Sequence, residues 1–127
     1  MRQIVFMTAL IAAVGMADAA LAQMAPTKTG DSAKGKVLTD GKGMTLYTFD
    51  KDAGGKSACN GQCAVNWPPL MAAAGAKADG GYTVITRDDG GKQWAYKGKP
   101  LYFWAKDAKP GDKTGDGINQ VWHTAKP

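Results

Sequence analysis

Tyr47-Thr48-Phe49-Asp50-Lys51-Asp52 and Tyr102-Phe103-Trp104-Ala105-Lys106-Asp107 spell one pattern twice, Tyr-x-aromatic-x-x-Asp, fifty-five residues apart. The likeness extends outward without a gap. It starts at Lys42-Gly43 against Lys97-Gly98, passes through Leu46 and Leu101, and ends with Trp67 on Trp122. Eight of these twenty-six aligned positions are identical, where composition alone would give about two. A repeat of this length fixes architecture before any local pattern does, because a unit too small to bury its own apolar face must bury it against its neighbour. The chain is expected to be one motif used twice, with the repeats at about 37–70 and 92–124.

The composition favours strands and turns. Glycine is abundant, glutamate is absent, and no long stretch carries apolar residues at helical spacing. Met44 to Phe49 reads as a strand after the turn Asp40-Gly41-Lys42-Gly43. Tyr82 to Thr86, Lys92 to Tyr96 and Leu101 to Trp104 read as a three-stranded meander, and Val121 to Thr124 as a short closing strand. Cys63 to Trp67 could make one helical turn, ended by Pro68-Pro69. The segment 71–81, rich in alanine and glycine, is either a short helix or a link. The expected fold is mainly β: a small single domain over 35–127, built from two related β units with pseudo-twofold symmetry and long Gly/Asp-rich loops.

Period-two geometry sorts the motif side chains. Tyr47 and Phe49 share one strand face, as do Tyr102 and Trp104, with Leu46 and Leu101 on the other. The aromatics either pack a shared core, with the tyrosine hydroxyls reaching its rim, or form an exposed platform for a sugar, a polymer or a ring-shaped ligand.

The N-terminus reads as an export signal. Met1-Arg2 is a positive start, Ile4 to Val14 is apolar, and Ala20-Leu21-Ala22 is a small-residue cleavage pattern. The run is short for a membrane span and is followed by Asp18. Residues 1–22 are therefore expected to be a signal peptide and 23–34 a flexible leader. Losing Arg2 and Asp18 together leaves the net charge of +5 unchanged. The lysines are scattered, which makes a solvated surface and not a nucleic-acid patch. The expected product is soluble, without a stable membrane anchor, monomeric, and located in the periplasm or secreted.

The motifs together resemble the bacterial "secreted repeat of unknown function" family, also described as predicted lipoproteins. The resemblance rests on the duplicated Tyr-x-aromatic-x-x-Asp, on Cys59-Asn60-Gly61-Gln62-Cys63 leading to Trp67-Pro68-Pro69-Leu70, on Thr86-Arg87-Asp88-Asp89-Gly90, and on Gly117 to Trp122. It covers residues 35 to 124 and implies an exported bacterial protein with no established activity. The sequence departs from lipoproteins in having no cysteine near the cleavage pattern.

Few residues could carry chemistry. Cys59 and Cys63 are the only cysteines, and an exported pair suggests a disulfide. The alternative is a copper site or electron-transfer centre using Cys59, Cys63 and His123, with Met44 or Met71 completing it, since thiolate, thioether and imidazole suit Cu(I). Asp112 to Gly117 resembles a calcium loop but lacks its closing glutamate. Asp50, Asp52 and Asp107 invite comparison with paired catalytic carboxylates, yet each ends a strand, where aspartate commonly caps a turn. No nucleophile–base set is present. The residues singled out are thus Tyr47, Phe49, Asp52, Trp67, Tyr102, Trp104, Asp107 and Trp122 of the repeat, with the two cysteines. The expected function is a non-enzymatic binding or interaction module for an envelope ligand or protein.

Overall fold

A computed structural model describes residues 25–33 and 35–127; the signal peptide expected at 1–22 lies outside them. The fold is mainly β, as the composition indicates. Strands β1 (Thr27–Ser32) and β2 (Gly35–Asp40) form one antiparallel hairpin. Strands β4 (Tyr82–Thr86), β5 (Lys92–Tyr96) and β6 (Lys99–Pro100) form a second sheet. The third sheet joins β3 (Tyr47–Phe49) to β7 (Trp122–Thr124), far apart in sequence. A five-residue helix, α1 (Gln62–Asn66), stands where one helical turn was expected, and its chain turns out at Trp67 before the two prolines.

The leader expected over 23–34 needs correction. Residues 27–32 have little to bury, yet they pair along their whole length with β2. The pairing is anchored by Val37, Leu38 and Thr39, all buried, and Thr27 Oγ1 donates a hydrogen bond of 2.7 Å to the Tyr82 hydroxyl. Tertiary pairing here overrides a weak local signal. The meander also differs at its third strand. Lys97 and Gly98 both adopt positive φ, 50° and 81°, which tightens the turn, so β6 is only Lys99–Pro100. The segment 71–81 contains no helix; Met71 bridges Gln93, and turns follow at Ala73–Ala76 and Asp79–Tyr82.

The two repeats complete each other's sheets. In the first half, Leu38 N–H donates to the Ala125 carbonyl (2.8 Å), Ala125 N–H to Leu46 (2.8 Å), and Leu46 N–H to Leu38 (3.0 Å). In the second half, Trp94 N–H donates to Leu70 (2.9 Å), Leu70 N–H to Leu101 (2.9 Å), and Leu101 N–H to Trp94 (3.0 Å). Ala125 ends the second repeat and Leu70 the first. Each tail therefore crosses over to the other repeat's strands. The pseudo-twofold axis runs between Tyr47 and Tyr102, whose backbones exchange both bonds, at 2.8 and 3.0 Å.

Strand alternation divides the buried side chains into two cores. Leu38, Leu46, Leu70, Trp94, Leu101 and Ala125 form one. Tyr47, Cys59, Trp67, Tyr102 and Trp122 form the other, flanked by Phe49 and Trp104.

Candidate functional site: two crossed Tyr–Asp clasps around a ring stack

Trp67 and Trp122 occupy equivalent places in the two repeats and meet face to face across the axis. Their ring centroids are 3.8 Å apart and their planes 2° from parallel. Phe49 stacks on the outer face of Trp122 at 4.2 Å, and its counterpart Trp104 stacks on Trp67 at 4.1 Å. Four rings from four segments thus form one column, Phe49–Trp122–Trp67–Trp104. Each motif tyrosine meets the tryptophan of its own repeat edge-on, Tyr47 with Trp67 and Tyr102 with Trp122, at 5.4 and 5.2 Å. Edge-to-face and offset contacts satisfy the ring quadrupoles and add to the burial of a large apolar area. Of the two readings open for these aromatics, the shared core is the one the fold adopts. Its outer rings, Phe49 and Trp104, are half-buried.

The tyrosine hydroxyls do not reach a rim. Both tyrosines are fully buried, and each donates to the motif aspartate of the opposite repeat. Tyr47 Oη donates to Asp107 Oδ2 at 2.7 Å, and Tyr102 Oη donates to Asp52 Oδ2 at 2.7 Å. The four-residue gap in Tyr-x-x-x-x-Asp therefore does not link residues within one copy. Each copy offers a donor at its strand and an acceptor at the following turn, and the pseudo-twofold axis pairs them crosswise.

The second carboxylate oxygen of each aspartate pins a long loop. Asp52 Oδ1 accepts the Ala58 N–H at 2.7 Å. Asp107 Oδ1 accepts both the N–H and the hydroxyl of Thr114, at 3.0 and 2.6 Å. Burial pushes both tyrosine hydroxyls above their usual range, and the adjoining carboxylate pushes them further. They remain protonated donors at any physiological pH. Burial likewise raises Asp52, opposed by hydrogen bonds from Ala58 and Tyr102 and by the charge of Arg87.

A polar chain that the sequence did not reveal backs the Tyr102 clasp. Tyr102 spends its only proton on Asp52, so Ser57 Oγ donates to Tyr102 Oη at 2.6 Å. Arg87 Nη1 donates to Ser57 Oγ at 3.1 Å and to Gln93 Oε1 at 2.8 Å, and Nη2 donates to the Cys59 carbonyl at 2.6 Å. Gln93 Nε2 donates to the Leu101 carbonyl at 2.8 Å. Arg87 is 3% exposed. Its charge and that of Asp52 are thus joined through two hydroxyls, each bond polarising the next. The Thr86-Arg87-Asp88-Asp89-Gly90 run marked the place. A strand-end arginine looks solvated in sequence, however, and Gln93 and Ser57 carry no recognisable spacing.

Cys59 and Cys63 form a disulfide, with Cα atoms 5.2 Å apart. The copper ligand set of Cys59, Cys63 and His123 is not gathered here. Both sulfurs are bonded to each other, His123 Nε2 lies 2.8 Å from Asp50 Oδ2, and among the described residues no group of three or more His, Cys, Asp or Glu could hold a metal ion. Met71 is exposed and bridges Gln93 through its backbone. The calcium-like loop turns its carboxylates to the backbone: Asp112 Oδ2 accepts from Ala108 and Lys109, and Asp116 Oδ1 accepts from Thr124.

The constellation holds two halves together by donors and acceptors already matched to each other. Comparison with known proteins agrees with the duplication. The family described as "secreted repeat of unknown function" matches twice, over residues 28–71 and 83–126, so each match begins in the first strand of its hairpin, earlier than the repeat bounds drawn from the sequence. Among the described residues no helix is long and apolar enough to cross a membrane. No curated protein and no solved structure matches the chain. With two matches that together span most of its length, the chain belongs to the secreted repeat family of unknown function.

Proposed function

We propose that this protein is an exported binding or interaction module that performs no chemistry of its own. It would act as a soluble monomer in the periplasm or outside the cell, with an envelope ligand or protein as partner and no nucleic acid. The observation that carries this reading is the fate of the motif. Its tyrosines and aspartates, the groups best suited to acid–base work, are paired with one another inside the scaffold. The working surface in this reading is that of the two long loops, 50–66 and 105–121. They meet in a hollow of about 420 Å³ at the Phe49 end of the ring column, where Lys51, Cys63 and Asn66 face Asn119 and Val121. An open hollow of this size, rimmed by a lysine and two amides with Phe49, Trp67 and Trp122 in its lining, suits a small, mainly polar ligand.

The test is a screen of the exported protein against envelope sugars, peptides and cell-wall fragments. It would be read by the indole N–H resonances of Trp67 and Trp122 and by mass spectrometry of the ligand. A saturable shift with the ligand recovered unchanged supports the reading. Turnover of any ligand would overturn the non-enzymatic part. The copper alternative requires thiolates, so exported protein found with reduced cysteines and bound copper, the metal being lost in Cys59→Ser, Cys63→Ser or His123→Ala, would favour it instead.

A further inference from the structure

On the β3–β7 ribbon, Thr48 and His123 are register partners and point away from the ring column. They line a cleft of about 270 Å³. The tight β5–β6 turn supplies the opposite wall with Tyr96, Lys97 and Lys99, and Lys126 joins from the chain just past β7. Leu101, Thr124 and Ala125, all buried, also line it.

The charges in this cleft are unbalanced. Its one carboxylate, Asp50, is engaged by His123 at 2.8 Å. None of Lys97, Lys99 and Lys126 forms an ion pair with a described carboxylate. Three ammonium groups around one concavity repel each other and focus a positive potential into it. Lys97 is also a costly choice for its place. It sits at φ 50° in a two-residue turn, where asparagine, aspartate or glycine is the easier residue.

The pseudo-twofold axis supplies an internal control. The positions equivalent to Thr48, Asp50, Lys99, His123 and Lys126 are Phe103, Ala105, Met44, Pro68 and Met71, while Lys97 has its counterpart in Lys42. Phe103 packs against the leucine core, where Thr48 leaves room. Lys97 apart, the same backbone frame is therefore built without these polar and charged groups in the other half. The scaffold does not require them.

We propose that this cleft binds the oxyanion head of a small polar ligand about one sugar ring in size. Phosphate is the favoured head, because several lysine point charges can gather around a dianion. This goes beyond the binding-module reading and places a ligand site away from the loop hollow.

The experiment is an amide NMR titration of the oxidised full chain with glucose 6-phosphate, glucuronate, inorganic phosphate and glucose. Saturable shifts at Thr48, Lys99, His123 and Thr124 are expected with the phosphate ester, weaker ones with glucuronate and none with glucose. The triple variant Lys97→Gln/Lys99→Gln/Lys126→Gln should weaken the phosphate ester by about tenfold. The control Lys28→Gln/Lys42→Gln/Lys113→Gln removes the same charge from a separate groove and should change it by less than about twofold. Lys97→Asn keeps a residue suited to the turn, so a loss of binding there cannot be misfolding. Stronger shifts with glucuronate would assign the site to carboxylates. Equal weakening by both triples would reduce the effect to net charge and overturn the proposal. So would the absence of shifts with every anion, or shifts confined to Asn66, Asn119 and Val121. That last result would leave the loop-hollow reading standing.

Discussion

The two clasps have the same length and orientation but different support. At Tyr47 the hydroxyl also receives the Gly115 N–H at 3.2 Å, and Asp107 gathers three hydrogen bonds in all. The loop behind it is held by neutral donors close in sequence. At Tyr102 the loop is held by a disulfide and by a buried arginine from the other repeat. The residue aligned with Arg87 in the first hairpin, at the same offset of fifty-five, is Ser32, whose hydroxyl donates to the Gly35 carbonyl at 2.7 Å. The positions aligned with Cys59 and Cys63 are Thr114 and Ile118. The difference teaches that the crossed bond is the common requirement, and that each loop reaches it by separate means.

The largest effects should be the symmetric ones. Trp67→Ala and Trp122→Ala each remove a central ring of the column, and each is expected to cost about 3–5 kcal/mol in urea unfolding. Near-equal losses would support the twofold description; a difference greater than about 2 kcal/mol would break it.

Next comes Arg87→Met, which strips donors from Ser57, Gln93 and the Cys59 carbonyl. Leaving those buried acceptors unpaired should cost about 2–3 kcal/mol. Ser32→Ala, at the aligned position, should cost less than about 1 kcal/mol by the same measurement.

Reducing the disulfide, or changing both cysteines to serine, should lower stability by about 2 kcal/mol on the chain-entropy estimate for so small a ring. Tyr47–Asp107 should survive the change, read as retained protection of the Thr114 and Gly115 amides in hydrogen exchange. Loss of that protection would mean the two loops are coupled through the ring column.

The most discriminating pair is Asp52→Asn against Asp107→Asn. The second should cost more, about 1–3 kcal/mol, because an amide nitrogen cannot accept from Thr114 or Tyr47. Burial holds the Asp52 carboxyl above its ordinary value of 3.8 in the fold. A raised folded value means protonation favours the folded state. The Asp52 contribution is complete below the unfolded value and diminishes as pH rises through the folded one. Wild type should therefore gain stability relative to Asp52→Asn on acidification through the interval just above 3.8. A gap that widens in the other direction would show the carboxylate to be stabilised by Arg87 more than it is penalised by burial.

Sequence made the duplication legible because aromatic residues, aspartate and tryptophan recur at a fixed offset, and the two cores because leucine and tyrosine alternate in strand period. It did not show that the tails cross. Pro69 to Met71 and Trp122 to Ala125 look the same whether they pair within a repeat or between repeats. Nor did it show the reach of Tyr102 to Asp52, since a donor and acceptor fifty residues apart leave no local pattern. Strand β1 was missed for a similar reason. Its residues bury little, and the pairing that orders them is written in Val37 and Leu38.

The crossed tails carry one more consequence. Each half lacks the strand that would cap its own sheet and presents that strand to its twin. The link at 73–80 is the tether that keeps the twins at high effective concentration. Severing it within the exposed run Ala73-Ala74-Gly75 should give two fragments that find each other by the same contacts, with stability that now depends on protein concentration. A single repeat on its own would do the same with a second chain. This fold is an exchanged pair of repeats joined covalently through one surface loop.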